Sequence, residues 1–264
     1  LLKVAPDHSD SAVALATDLD ETGRAFDIRV PGETCVAASS TRLDGAVIAF
    51  DLDGTLVDTA PDLMSTLNTV LAEEGLPPLA YELASTLVGR GARAMLERGF
   101  VADGRPLEEP EASRLFDRFI AHYLDHCADQ SRPFPGVLEA LDRLAAEGAA
   151  LAVCTNKRTD LSLAVLDALG LTSRFAAIVG PDLAPRPKPD ASHLLRAIEL
   201  AGGDPQRAVM VGDSINDVLA ARNAKVPVVL VSFGYTDIPP RDLDADALID
   251  RFDELYGQVL RLVM

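Results

Sequence analysis

Two aspartates two residues apart, Asp51 and Asp53, follow a short apolar run, Val47-Ile48-Ala49-Phe50, and precede Gly54-Thr55. Side chains alternate along a strand, so both carboxylates can point the same way at its end. Two carboxylates so placed suit nucleophilic attack by one and proton transfer by the other. The same residues also fit a solvated acidic turn in which Gly54 supplies an unusual backbone angle. The pair therefore acquires meaning only from what else reaches it.

Three later runs offer partners. Val153-Cys154-Thr155-Asn156-Lys157 ends an apolar stretch with a hydroxyl and backbone amides, which can hold phosphate oxygens at a strand-to-helix junction or simply cap a helix. Pro185-Arg186-Pro187-Lys188-Pro189-Asp190 is a proline-stiffened loop. In it Lys188 is either a surface lysine or a fixed ammonium that neutralises a phosphoryl group and the nucleophile together. Val211-Gly212-Asp213-Ser214-Ile215-Asn216-Asp217 puts two more acids four residues apart, so that Asp213 at a strand end and Asp217 one turn into a helix approach one point. Oxygen-only ligands suit magnesium, a hard ion, and four crowded carboxylates would repel strongly without a cation.

The elements that must position these groups follow from the apolar pattern. Val47–Phe50, Ala150–Cys154, Ala176–Val179, Ala208–Val211 and Val228–Val231 are continuous apolar runs of the kind that form strands buried on both faces. Helical spacing connects them: Val137, Leu138, Leu141 and Leu144; then Leu161, Val165, Leu166 and Leu169 with Gly170 as a stop; then Leu194, Leu195 and Ile198. Strands alternating with helices predict an α/β, Rossmann-like core with a parallel sheet covered on both faces. Residues 61–132 break the rhythm. Leu63, Leu67, Val70 and Leu71 share one helical face, and Leu115, Phe116, Phe119 and Tyr123 another, so this stretch reads as an α-helical insert between the first and second strands. The core then comprises residues 45–60 and 133–264. Residues 1–44 lack clear periodicity and are expected to form a poorly ordered or weakly docked extension, with a weak strand pair around Phe26–Val30 and Thr34–Ala37.

Bulk composition narrows the partners. A formal net charge of -17 should repel a nucleic-acid backbone and an anionic membrane surface. A bound cation can still bring an anionic substrate to such a protein. No stretch approaches the roughly 18 to 20 apolar residues of a membrane span, and the first residues do not read as a secretory signal. Cys35, Cys127 and Cys154 are scattered and form no CxxC, which argues against a disulfide framework and fits a reducing, cytoplasmic setting. The sequence leaves the oligomeric state open, a homodimer included.

The ordered set DxDGT, Thr, Lys and GDSxxD, each at an expected strand end, resembles the haloacid-dehalogenase superfamily over roughly residues 45–258. That resemblance implies a magnesium-dependent phosphatase. Asp51 would attack phosphorus and form an aspartyl-phosphate; Asp53 would protonate the leaving oxygen and then activate water. Thr155, with the Asn156 amide, would hold the phosphoryl group, and Lys188 would pair with Asp51 and phosphate. Magnesium would sit among Asp51, the Asp53 backbone carbonyl and Asp213. Asp217 would support it directly or through water or Lys188. An acid at position 53 sets the chain apart from the dehalogenase and phosphonatase branches, which lack one there.

The helical insert resembles the small cap of the same superfamily, which closes over the site and reads the substrate. Within it Leu87-Val88-Gly89-Arg90-Gly91-Ala92 resembles the cap loop of phosphoglycolate phosphatases, and the flanking Asp58–Leu63, Ala152–Lys157 and Val231–Tyr235 resemble the same enzymes. The implied substrate is a small phosphate ester, 2-phosphoglycolate, with Arg90 meeting its carboxylate. The same fold also serves other phosphatases, pyrophosphatases and sugar-phosphate mutases. Asp18-Leu19-Asp20-Glu21-Thr22 imitates the first motif, but the run before it is a weaker strand. His122 and His126 have zinc-ligand spacing on a helix and lack a convincing third ligand.

Overall fold

A computed structural model describes residues 42–264, except Arg90 and the side chains of Ala84 and Ser85. The chain runs from β1 (Val47–Phe50) through a two-residue strand, β2 (Val57–Asp58), into four helices: α1 (Ala60–Glu73), α2 (Ala84–Leu87), α3 (Ala92–Ala102) and α4 (Glu111–His126). It returns through β3 (Arg132–Pro133). Then follow α5 (Val137–Ala146), β4 (Ala150–Cys154), α6 (Thr159–Ala168), β5 (Ala177–Val179), α7 (Ala191–Leu200), β6 (Ala208–Gly212), α8 (Ile215–Ala224), β7 (Val228–Val231), β8 (Ala247–Ile249) and α9 (Leu255–Val263).

Six strands form one parallel sheet in the order β5-β4-β1-β6-β7-β8. Strict alternation divides its residues between two apolar layers. Ile48, Phe50, Leu151, Val153, Val209 and Val211 pack on one face with Val137, Leu141 and Leu144 of α5 and Leu255 and Val259 of α9. Val47, Ala49, Ala152, Cys154, Ala208 and Met210 pack on the other with Leu194 and Ile198 of α7 and Val218 of α8. The apolar runs are continuous because both faces are covered, as parallel sheets require.

The register sets the height of every strand end. Phe50 pairs with Val153 on one side and Val211 on the other, so the residues after β1, β4 and β6 emerge at one level. The chain passes from β1 to β4 and β5 on one side, then crosses to β6, β7 and β8 on the other. That reversal beside β1 opens a crevice at the carboxyl ends of the strands, where ligands bind in open α/β sheets.

All five expected strands match within one residue. Val47–Phe50, Ala150–Cys154 and Val228–Val231 are as read, and the fourth run extends to Gly212; the run from Ala176 begins at Ala177. β8 was not expected. Its three residues alternate in burial only weakly and hold their place by pairing with β7. The antiparallel pair β2–β3 was also not foreseen; it brings together the two chain crossings into the helical insert. Asp62, buried on α1, reinforces that neck: its carboxylate accepts from Gln130 N, Ser131 N and Ser131 Oγ.

Within the insert α1, α3 and α4 pack on one another through Leu67, Leu71, Met95, Leu96, Leu115 and Phe119. Gly99 of α3 sits where a Cβ would overlap Leu71, so the missing side chain lets α3 approach α1. His122 bonds Thr66 and His126 pairs with Asp129, which accounts for both imidazoles as ordinary helix residues.

The expected strand pair at 26–37 and the imitation motif at Asp18–Thr22 lie outside the described residues. Leu43, however, is fully buried in the core, and its amide donates to Glu147 O at 2.9 Å. A deletion that probes the N-terminal extension should therefore keep it. A chain beginning at Arg42 is expected to retain turnover, whereas Leu43→Ala should lower the unfolding free energy in urea by roughly 2–4 kcal/mol.

Candidate active site

Asp51 follows β1, and its amide donates to Val211 O across the sheet at 2.9 Å. Leu52 is fully buried while Asp51 and Asp53 on either side of it are part-exposed, so the strand alternation carries past the end of β1 and turns both acids to the crevice. Lys188 reaches in from the loop after β5. Its Nζ lies 3.0 Å from Asp51 Oδ2 and 2.6 Å from Asp217 Oδ1. Both Lys188 and Asp217 are buried.

Lys188 is held in place through its backbone. Asn156 receives its N–H on Oδ1 and donates Nδ2 to its carbonyl, both at 3.0 Å. The Lys188 N–H also lies 3.1 Å from His193 Nδ1, and His193 Nε2 lies 3.1 Å from Val179 O. A carbonyl can only accept, so the imidazole carries its proton on Nε2 and receives from Lys188 on Nδ1. Burial, then the Lys188 charge, pushes His193 down to about 4. It is neutral at pH 7.

The acids crowd on the other side of Lys188. Carboxylate oxygens of Asp51, Asp213 and Asp217 all lie within 4.8 Å of one another. Asp213 accepts from Thr55 Oγ1 at 3.1 Å and from Tyr235 N. Asp217 uses Oδ2 to accept from Asp213 N, Ser214 N and Ser214 Oγ, which closes the first turn of α8 as a capping box. A Cβ at Gly54, Gly212 or Gly234 would overlap Asp213 or Asp217, so bare backbone lets these acids come this close. At Gly54 a φ of +82° adds a second reason for glycine.

Burial first, and then the charges of Asp217 and Asp53 against the opposing pull of Lys188, raises Asp51 to about 6. Burial, then Asp217 and Asp51, raises Asp213 well above the carboxylate range. One ammonium against three acids leaves excess negative charge in a buried space. The donor set is all oxygen, and these residues fit a hard divalent cation.

A second ion pair stands at the mouth of the crevice. Asp53 accepts from Lys157 Nζ at 3.1 and 3.3 Å and from Thr59 Oγ1 at 2.7 Å. Thr155 is buried at the end of β4, and its hydroxyl oxygen receives the Lys157 amide at 3.2 Å. The structure thus brings Asp51, Asp53, Thr155, Asn156, Lys188, Asp213 and Asp217 to one crevice. Arg90 lies outside the described residues; Gly89 and Gly91 on either side of it line a cavity shared with Asp53, Thr155 and Asn156.

Lys157, His193, Thr55, Thr59 and Tyr235 had no role assigned from sequence. One signal for Lys157 was available. The chain has only four lysines, at positions 3, 157, 188 and 225, among 24 basic residues. A surface served almost wholly by arginine makes an interior lysine conspicuous. The side-chain amide of Asn156 also proves to position Lys188, where the resemblance implied only its backbone amide at the phosphoryl group.

With this geometry in place, likeness to known proteins becomes specific. The family model of haloacid dehalogenase-like hydrolases matches residues 48–231. The chain belongs to that family. It is 59% identical over 210 residues to a phosphoglycolate phosphatase of Caulobacter vibrioides, covering 80% of this chain and 89% of that one. A phosphoglycolate phosphatase of Agrobacterium fabrum is 53% identical, with coverage of 78% and 88%. Among solved structures, that of a predicted phosphoglycolate phosphatase from Haemophilus somnus superposes with a TM-score of 0.76 at 32% identity, covering 81% of this chain and 97% of that one. The protein is a phosphoric monoester hydrolase of the haloacid-dehalogenase type.

The neutral His193 makes stability depend on pH. Its folded pKa lies below the ordinary value of 6.5, so its contribution is complete above 6.5 and is lost as pH falls from there toward 4. The loss should reach about 3 kcal/mol at the lower end. Urea unfolding at pH 7 and pH 5 should show this slope in the wild type and a shallower one in His193→Gln; equal slopes would contradict it.

Proposed function

We propose that this hydrolase converts 2-phosphoglycolate to glycolate and phosphate. The substrate is carried by the likeness to the Caulobacter vibrioides phosphoglycolate phosphatase, which extends over nearly that whole enzyme. The chemistry is carried by one contact: Lys188 Nζ lies 3.0 Å from Oδ2 of the part-exposed Asp51 carboxylate, whose Oδ1 receives the Leu52 amide at 2.7 Å.

In this reading Asp51 attacks phosphorus as the ester P–O bond breaks, giving an aspartyl-phosphate. Asp53 gives its proton to the departing alkoxide. It then takes one from water, whose oxygen attacks the aspartyl-phosphate and frees phosphate and Asp51. Thr155 and the amide of Asn156 hold the phosphoryl oxygens. Lys188 balances charge on the nucleophile and the phosphoryl group while Asn156 and His193 keep it in position. Such catalysis is mainly positioning and charge neutralisation.

Magnesium is the proposed ion, held by Asp51, the Asp53 backbone carbonyl and Asp213. When bound it supplies positive charge against the phosphoryl oxygens. Asp217 supports this set from behind: Lys188 occupies Oδ1 and three donors occupy Oδ2. The insert of residues 61–132 acts as a cap that closes over the crevice and excludes water; the family resemblance offers Arg90 as one candidate for the substrate carboxylate. Every proposed residue comes from one chain, which a homodimer would leave unchanged. Buried thiols at Cys127 and Cys154 suit the cytoplasm.

Phosphate release from a panel of small esters tests this. 2-Phosphoglycolate is expected to lead by about tenfold or more in kcat/KM, roughly 1.4 kcal/mol. EDTA should abolish turnover and added magnesium restore it. Asp51→Asn should lower kcat by roughly a thousandfold or more. A flat panel that still needs Asp51 would remove the substrate; activity surviving in Asp51→Asn would remove the nucleophile.

A further inference from the structure

Beside Asp53 a cavity of about 230 Å³ opens between the helical insert and the core. It is smaller than the roughly 300–1,000 Å³ of common ligand pockets, so it admits only a compact leaving group. The insert wall is apolar, formed by Leu63, Met95, Phe116, Phe119 and Ile120. Two polar groups interrupt it. Lys157, whose side chain is only 5% exposed, enters from the core. Tyr123 enters from α4, fully buried, and its hydroxyl finds no acceptor among the described residues. Lys157 Nζ lies 4.5 Å from the centre of the Tyr123 ring.

Neither group is explained by the chemistry at Asp51. An unpaired buried hydroxyl carries a free-energy cost that an acceptor would remove. Burial pushes the Tyr123 phenol up to about 12, so it is a donor at neutral pH. Asp53 does not exhaust the Lys157 ammonium, which has three N–H donors. The other described cations at this cavity are engaged elsewhere: Arg93 pairs with Glu109 and Arg158 with Asp160. Away from its floor, where Asp53, Thr155 and Asn156 line it, the cavity presents one ammonium and one hydroxyl beside an apolar insert wall, which is the complement of a single small anion.

We infer that Lys157 and Tyr123 together bind the carboxylate of the substrate and set the preference for a phosphorylated hydroxy acid. The inference rests on the proposed roles of Asp51 and Asp53. If Asp53 protonates the ester oxygen, that oxygen lies within hydrogen-bond distance of it. A carboxylate one carbon beyond then falls beside Lys157 Nζ, itself 3.1 Å from Asp53 Oδ1. Lys157 belongs to the core and Tyr123 to the insert, so a carboxylate bound by both would also tie the two together over the phosphoryl group. A phosphate ester without the carboxylate leaves both donors unpaired, and sites with buried donors discriminate strongly against analogues that cannot accept from them.

The test compares 2-phosphoglycolate with its neutral amide, phosphoglycolamide, in the wild type, Tyr123→Phe, Lys157→Met and Arg90→Ala. The measure is the ratio of the two kcat/KM values, which does not depend on how much of a variant is folded. Tyr123→Phe should lower the ratio by about tenfold and Lys157→Met by about a hundredfold. Ratios within twofold of the wild type in both variants, or a loss confined to Arg90→Ala, would overturn the subsite while leaving the phosphatase reading intact. A wild-type ratio near one would overturn the subsite and the substrate assignment together.

Discussion

The buried ammonium of Lys188 is the constraint on which the rest of the molecule depends. Removing a charge from water costs several kcal/mol per ion, and only good geometry with satisfied neighbours repays it. Here Asp51 and Asp217 flank Lys188 at 3.0 and 2.6 Å. Burial works against its charge, but Asp217 and Asp51 outweigh that and hold it protonated above the ordinary lysine range. The second oxygen of Asp217 is bonded by the start of α8, and the backbone of Lys188 is pinned by Asn156 and His193. These residues follow β1, β4, β5 and β6, so one charge ties four strand ends together.

That requirement explains the shape of the core. The loops meet only if β1, β4 and β6 end at one level, which the pairing of Phe50 with both Val153 and Val211 secures. The face under α7 and α8 carries Ala49, Ala152, Ala177 and Ala208, small residues that let the helices lie close to the sheet. Gly54, Gly212 and Gly234 do the same for backbone against carboxylate. Close approach on both scales puts the acids near enough to repel one another, and a hard cation is the physical complement of that arrangement.

A second buried ion pair, Lys157 with Asp53, differs from the first in one respect. Lys188 is enclosed by polar partners, whereas Lys157 faces the Tyr123 ring and the apolar side of the insert. The neck formed by β2, β3 and Asp62 joins this insert to the core at one point. Tyr235 spans the same place: its N–H reaches Asp213, and its hydroxyl meets Asp58 and receives the amide of Ala60. The acidic cluster and the root of the insert are thus one hydrogen-bonded unit.

Sequence by itself determined the parallel sheet, the helical insert and the strand-end positions of the acids. Strands buried on both faces must be continuously apolar, and carboxylates at their ends stand out against such runs. It did not reveal β8, whose three residues have little pattern and exist through pairing with β7, nor β2 and β3, which are two residues each. It also did not reveal Lys157, Tyr123 or His193 as parts of the crevice. Tyr123 lies on a helical face that reads as ordinary core, and His193 shares an α7 face with Leu194 and Ile198. Their significance comes from a free hydroxyl, a shared ammonium and a carbonyl acceptor contributed by segments distant in the chain. Local spacing records which residues are apolar or charged; which donor is left without an acceptor is decided only when the chain has folded around it.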